Sequence, residues 1–140
     1  MSIVYRTDAT LTADQYIDVL VRSTLGQRRP IDDPDLISRA LAGSDILVTA
    51  WDGSALVGFA RAITDFHLHC YLADLGVDAA YQRRGIGLEL QREVRALLGA
   101  GCKLKLSAAP AASDYYARCG YTKNDRAWEL PPGARLATDT

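Results

Sequence analysis

Apolar positions change their spacing several times along this chain, and each change marks a predicted element. Ile3 to Arg6 is short and half apolar, as a first strand would be. Ala13, Tyr16, Ile17, Leu20 and Val21 then recur at helical spacing, with Asp14, Gln15, Asp18 and Arg22 on the opposite side. Thr12-Ala13-Asp14-Gln15 has the form of a capping box, so this helix starts at Ala13 and runs to about Ser23. Asp33-Pro34 starts a second helix, an N-cap followed by proline at the first helical position. Leu36, Ile37, Ala40 and Leu41 are its inward stripe and Gly43 closes it. Residues 24–32 between the two are polar and aperiodic, which predicts a loop.

The spacing then shifts to runs that suit strands. Ile46 to Trp51 and Ala55 to Ile63 flank Asp52-Gly53-Ser54, a hairpin signal, and Leu68 to Val77 follows after a short link. Three strands joined by short turns make an antiparallel meander. Ile86, Leu90, Val94, Leu97 and Leu98 return to helical spacing, so a helix from Ile86 to Gly99 crosses over before Lys103 to Ser107 pairs parallel to the preceding strand. Pro110 opens a last helix with Ala112, Tyr115, Tyr116 and Cys119 on its stripe, ended by Gly120. Tyr121 and the run around Trp128 to Leu130 read as closing strands. The expected fold class is α/β (α+β): a mixed, mostly antiparallel sheet of six to seven strands, helices on both faces, and one central parallel pair. A single domain is expected over residues 1–130, with a flexible tail over 131–140 after Pro131-Pro132-Gly133.

Composition narrows the function classes. A chain of 140 residues with 49% hydrophobic and 24% charged residues suits one globular domain. A formal net charge of -1 supplies no overall field for nucleic acid or an acidic membrane, so any anion site must be local. No apolar run approaches the ~20 residues of a membrane span, and Met1-Ser2-Ile3-Val4-Tyr5-Arg6 is unlike a signal peptide, so a cytoplasmic protein is expected. Cys70, Cys102 and Cys119 are odd in number and lack C-x-x-C spacing, which points to buried thiols. His67 and His69 have no third ligand spaced nearby, so no metal is expected.

The chemistry gathers where the period switches, between Val77 and Ile86. A helix beginning near Gly85 leaves its first N–H groups without intrahelical partners and carries partial positive charge there. Gly85 and Gly87 allow close approach to the backbone, and Arg83 and Arg84 add charge, so strand, Gly-rich turn and helix suit a pyrophosphate. The spacing does not fit G-x-x-x-x-G-K-[ST], and it lacks the third glycine of a dinucleotide fingerprint.

Gln82-Arg83-Arg84-Gly85-Ile86-Gly87 resembles the Q/R-x-x-G-x-G/A acetyl-coenzyme A signature of the GNAT superfamily of N-acetyltransferases. Leu72-Ala73-Asp74-Leu75-Gly76-Val77 before it resembles that family too. So does Tyr115-Tyr116-Ala117-Arg118-Cys119-Gly120-Tyr121 after it, which is similar to F-Y-x-x-x-G-F. The similarity spans Trp51 to Tyr121. It implies a GNAT-like fold and acetyl-coenzyme A as cosubstrate. Leu75, Gly76 and Val77 would contact its pantetheine arm through main-chain atoms, and Gln82, Arg83, Arg84, Gly85, Ile86, Gly87 and Leu88 would hold its pyrophosphate. Gly76 independently suggests a bulge or a close approach, since glycine inside a strand costs packing.

The resemblance also implies that Tyr116 protonates the coenzyme A thiolate, with the adjacent Tyr115 equally able chemically. A phenol of pKa roughly 10 can give its proton to a thiolate without a large penalty. Asp74 is unusual in an apolar strand and alternates onto the face of Leu72 and Gly76, which suggests either a catalytic carboxylate that accepts the amine's proton through water or holds the ammonium, or a structural one that caps a neighbouring backbone group. One departure is Ala109, where the family often has an asparagine seven residues before the tyrosine. The implied function is transfer of the acetyl group to an amine of a small molecule or a protein, by direct attack in a ternary complex. The alternative is a catalytically silent coenzyme A binding module, a sensor or partner subunit. The resemblance also implies that residues 24–32 border the acceptor entrance, the alternative being a solvated loop with no role; the acceptor itself is not legible, and a homodimer is left open.

Overall fold

A computed structural model describes residues 2–137, apart from the side chain of Gln27. The chain forms two compact units divided after Ser107. The first contains five strands, β1 (Ile3–Arg6), β2 (Ile46–Asp52), β3 (Ala55–Thr64), β4 (His69–Val77) and β5 (Lys103–Lys105). Its helices are α1 (Ala13–Arg22), α2 (Pro34–Ala42) and α3 (Ile86–Ala96). The spatial order follows the chain from β1 to β5; the first four strands are antiparallel and β4–β5 is parallel.

Local chemistry explains where the helices begin and end. Thr12 and Gln15 form the capping box of α1, and Asp33 caps α2 ahead of Pro34. Residues 24–32, expected as a loop, contain a turn of 3-10 helix at Leu25–Arg28.

Each helix set covers one face of the sheet, and each face has its own core. α3 places Ile86, Leu90 and Val94 against Val48, Ala60, Cys70 and Leu72. On the other face α1 and α2 bring Tyr16, Val19, Leu20 and Ile37 onto Phe59, with the Tyr16 and Phe59 rings stacked 4.0 Å apart. Gly58 is needed where α3 meets β3, because a Cβ there would lie 3.0 Å from the Gly76 carbonyl oxygen and 3.3 Å from Leu90 Cδ1. Val21, Leu36 and Leu97, expected inside, are half exposed, since each lies at the margin of its helical stripe.

Three expectations are corrected. The sheet has five strands among the described residues, and the parallel pair lies at its edge, not its centre, because no strand pairs beyond β5. The closing strands at Tyr121 and Trp128–Leu130 do not form: the backbone there makes only local turn bonds, Trp128 is 96% exposed, and Pro131 and Pro132 lack the N–H groups a ladder needs. Of the three thiols, Cys70 and Cys102 are buried but Cys119 is only half-buried.

The second unit contains α4 (Ser113–Arg118) behind a 3-10 turn at Pro110–Ala112. Gly120, at φ 101°, closes α4 and lets the Tyr121 N–H reach the Tyr116 carbonyl at 3.1 Å. Residues 131–137 contain one turn, and the rest of the expected tail, 138–140, lies outside the described residues. No helix among the described residues is long and apolar enough to cross a membrane.

Candidate active site

The site begins with an irregularity in β4. Arg61 pairs with Asp74 while Ala62 pairs with Leu72, so Ala73 is an extra residue opposite the join. Such a bulge reverses the alternation of side chains beyond it. Cys70 and Leu72 therefore face α3, and so do Leu75 and Val77, whereas Asp74 and Gly76 face α1 and α2. The expectation that Leu72 shares a face with Asp74 and Gly76 is thus half corrected: a strict period of two fails at Ala73.

β4 also loses its parallel neighbour. Pairing with β5 ends at Tyr71 opposite Lys105, six residues before the strand itself ends at Val77. The Asp78 N–H bonds to the Val57 carbonyl on β3 at 2.8 Å, so by alternation the main-chain groups of Val77 and Leu75 point the other way, toward the side β5 has left. Gly76 points its carbonyl at β3, and a Cβ on it would stand 3.2 Å from both Leu25 Cδ1 and Ser23 Oγ. Close approach of the α1–α2 connection thus explains this glycine.

The turn after β4 is built for exposed N–H groups. Gln82 Nε2 donates to the Val77 carbonyl at 3.0 Å, and Arg83 and Gly85 both take left-handed conformations, φ 64° and 80°. Gly85 is the N-cap of α3, without a capping side chain, and a Cβ there would meet nothing within 4 Å. Space above the helix N-terminus is open. The turn is held from beneath: Tyr81 donates to Asp52 Oδ2 at 2.7 Å, Arg84 lies over the Tyr81 ring at 5.3 Å, and Asp78 accepts from the Ala80 N–H and from Arg22 Nη1. Ile86 is buried beneath the turn, while Gly87 accepts from Gln91 Nε2 at 3.1 Å and Leu88 is half-buried. An anion with several oxygens can be held by such amides and the adjacent guanidiniums.

Asp74 is the centre of a different arrangement. Its carboxylate is nearly fully buried and accepts from the Tyr16 hydroxyl and Arg61 Nε (2.8 Å) on Oδ2 and from Arg29 Nε (2.6 Å) on Oδ1. Arg29 also donates to the Ala73 carbonyl and Arg61 to Ser44 Oγ, at 3.0 and 3.1 Å. Burial opposes the charge on Asp74, but the Tyr16 hydrogen bond and the Arg61 and Arg29 guanidiniums outweigh it and hold the carboxyl below its ordinary range. Burial and Asp74 together push the Tyr16 phenol well above its usual value. Beside this cluster lies a cavity of about 220 Å³, walled by Pro30 and by Leu36, Ile37, Ala40 and Leu41 of α2.

Tyr16, Arg29 and Arg61 were not singled out from sequence. Arg61 had a signal, a charge inside an apolar strand whose neighbour strand contains Asp74; Tyr16 was hidden in an apolar helical stripe and Arg29 in an aperiodic loop.

Tyr116 sits in the second unit, packed edge-on against Tyr115 and Tyr121 with centroids 5.1 and 5.6 Å away. Burial, with the nearby Cys119, raises its phenol above the ordinary value, so it is protonated at neutral pH.

An edge of β4 freed from its parallel partner thus leads at once into an amide-lined turn and a helix N-terminus, where an anion can be held. The family model for the acetyltransferase (GNAT) domain matches residues 43–123, and the chain belongs to this family. It is an acetyltransferase. Among solved structures it is similar to a GNAT-family acetyltransferase of Streptococcus pneumoniae, at 20% identity over 92% of this chain and 98% of that one, with a TM-score of 0.74. The PaiA N-acetyltransferase of Thermoplasma acidophilum in complex with coenzyme A is 17% identical over 89% and 92%, TM-score 0.70. AAC(6′)-Iy in complex with the bisubstrate analogue CoA-S-monomethyl-acetylneamine is 16% identical over 94% and 98%, TM-score 0.71. A comparison with curated protein sequences finds no match.

Proposed function

We propose that the protein transfers the acetyl group of acetyl-coenzyme A to an amine, of a small molecule or of a protein, by direct attack within a ternary complex. The observation that carries this reading is the open edge of β4: the main chain of Leu75 and Val77 has lost β5 as a partner and leads straight to the turn at Arg83 and Gly85. The residues present fit coenzyme A on that ground, and on the open space at the Gly85 φ of 80°, where a phosphate can come within reach of the N–H groups. The two relatives named with coenzyme A or an analogue of it support the same reading.

Bound acetyl-coenzyme A would supply a thioester carbonyl. Main-chain groups of Leu75 and Val77 would orient it, while Gly76, expected to join them, has its own main chain turned to β3; the stretch from Gln82 through Arg83, Arg84, Gly85, Ile86 and Gly87 to Leu88 would hold its phosphates. Tyr116 would donate its phenolic proton to the leaving sulfur, a role that its protonated state at neutral pH allows. For Asp74 we favour positioning over proton transfer. Both oxygens already accept hydrogen bonds from two arginines and a tyrosine, and a carboxyl held below its ordinary range is a weak base.

A thiol-release assay across polyamines, aminoglycosides, amino acids and peptide amines, run on wild type and Tyr116→Phe with Tyr115→Phe as control, tests this. Tyr116→Phe is expected to lose roughly 10²-fold or more in kcat with an unchanged melting temperature, the lower end for a positioned acid. Equal turnover in wild type and Tyr116→Phe would remove Tyr116 from the mechanism.

A further inference from the structure

The cavity beside Asp74 has a charge and a size that narrow the acceptor. Arg29 and Arg61 contribute two positive charges and Asp74 one negative, so the polar end of the cavity is net cationic by one. The carboxylate is already spent, Oδ1 on Arg29 and Oδ2 on Tyr16 and Arg61. The guanidiniums are not. Each has five N–H donors; among the described residues Arg61 makes two hydrogen bonds, to Asp74 and Ser44, and Arg29 three, to Asp74, Arg28 and Ala73. What the cavity has in surplus is therefore donors with positive charge. An ammonium group there would face two guanidiniums, whereas a carboxylate would complete their hydrogen bonding.

Size and polarity restrict the rest of the ligand. About 220 Å³ is below the roughly 300–1,000 Å³ of pockets for drug-sized molecules, and four residues of α2 make its far wall largely apolar. Polycationic acceptors such as polyamines and aminoglycosides are mismatched in both charge and bulk. The cavity is lined by Asp74, the residue next to Leu75 and so to the strand edge proposed above to receive the acetyl donor.

We propose, building on that reading of the site, that the acceptor is a small amine that also bears a carboxylate, an amino acid with an apolar side chain being the simplest case. Its carboxylate binds Arg61 and Arg29, and its apolar part lies against α2. Leu36, half exposed on the surface yet lining the cavity, is then part of a specificity wall.

The test compares ligands that differ only in the carboxylate. Titration calorimetry of the full chain with N-acetylleucine and N-acetylleucinamide needs no turnover, and thiol release with leucine, leucinamide, isoamylamine and spermidine adds the kinetic arm. The carboxylate member of each pair is expected to win by roughly tenfold or more, the scale of a charge-assisted hydrogen bond. Arg29→Gln should abolish that preference. Ala40→Phe, which fills the cavity without touching the charges, should weaken both ligands and leave acetyl-coenzyme A affinity unchanged. Equal affinities, a preference for the amide or for spermidine, no binding of either leucine derivative, a preference that survives Arg29→Gln, or undiminished binding in Ala40→Phe would each overturn the proposal. Acetyl-coenzyme A titrated into the same samples separates the two levels. Cofactor binding with turnover of carboxylate-free amines sinks only the acceptor assignment, while no cofactor binding sinks the acetyl-transfer reading and this one with it.

Discussion

The turn after β4 and the cavity beside Asp74 are neighbours in space, and they are made in opposite ways. The turn is contiguous: Gln82 to Gly87 supplies its conformation, its charges and the helix N-terminus, and its neighbours merely brace it. The ionic cluster at the cavity is assembled from four separate stretches, Tyr16 on α1, Arg29 in the connection, Arg61 on β3 and Asp74 on β4, and α2 adds the apolar wall. A local device can be altered with little effect on the fold, since residues 82–85 are exposed and only Ile86 reaches the core. A device built from distant elements also holds those elements together, so its chemistry and its stability are the same set of contacts.

The largest effect expected from that contrast is at Asp74. Asp74→Asn keeps the shape but leaves Arg61 and Arg29 without their counter-ion at a site where the carboxylate is 2% exposed. Loss of one partner of a buried ionic cluster costs about 3 kcal/mol or more. Urea unfolding should therefore show a drop of that order, with acetyl-coenzyme A affinity changed far less than stability. A variant of native stability would mean that the cluster does not hold these elements together.

A smaller effect follows on acidification. The Asp74 carboxyl is held below its unfolded value near 3.8, so at pH between the two values the unfolded chain binds more protons than the folded one. Its stabilising contribution is complete above the unfolded value and is lost as pH falls through the folded one. Asp65, held down to about 2 by the N–H groups of His69, Leu68 and His67, acts in the same direction between about pH 4 and about pH 2. Stability measured by denaturant from pH 6 to pH 2 should decline below about pH 4 in wild type and more gently in Asp74→Asn. Parallel curves would contradict the ionic account of the cluster.

Legibility in the sequence divides along the same line. The capping box at Thr12, the Asp33-Pro34 start, the Asp52-Gly53 hairpin and the glycine motif are each encoded by adjacent residues, and all appear where expected. The bulge at Ala73 is not encoded locally. It arises from how β3 and β4 pair, and it moves Asp74 and Gly76 onto the face opposite Leu72. The partners of Asp74 lie 13, 45 and 58 residues away, beyond any periodicity, although a lone arginine and a lone aspartate in two adjacent apolar strands were a usable hint. The unformed strands after Gly120 show the converse, since strand-like composition at Trp128 to Leu130 found no pairing edge.

The central claim is that the turn at Gly85 holds the phosphates of acetyl-coenzyme A, and calorimetric titration of Gly85→Glu tests it most directly. Any side chain at a φ of 80° costs about 1–2 kcal/mol of stability, so Gly85→Ala serves as the control with the same backbone cost and no added charge. The glutamate would place an anion in the open space above the α3 N-terminus, where loss of two charge-assisted hydrogen bonds amounts to roughly 100-fold in affinity. The account predicts that Gly85→Glu, folded, binds acetyl-coenzyme A at least that much more weakly than wild type, with Gly85→Ala much closer to wild type. A folded Gly85→Glu that binds as tightly as wild type would contradict it.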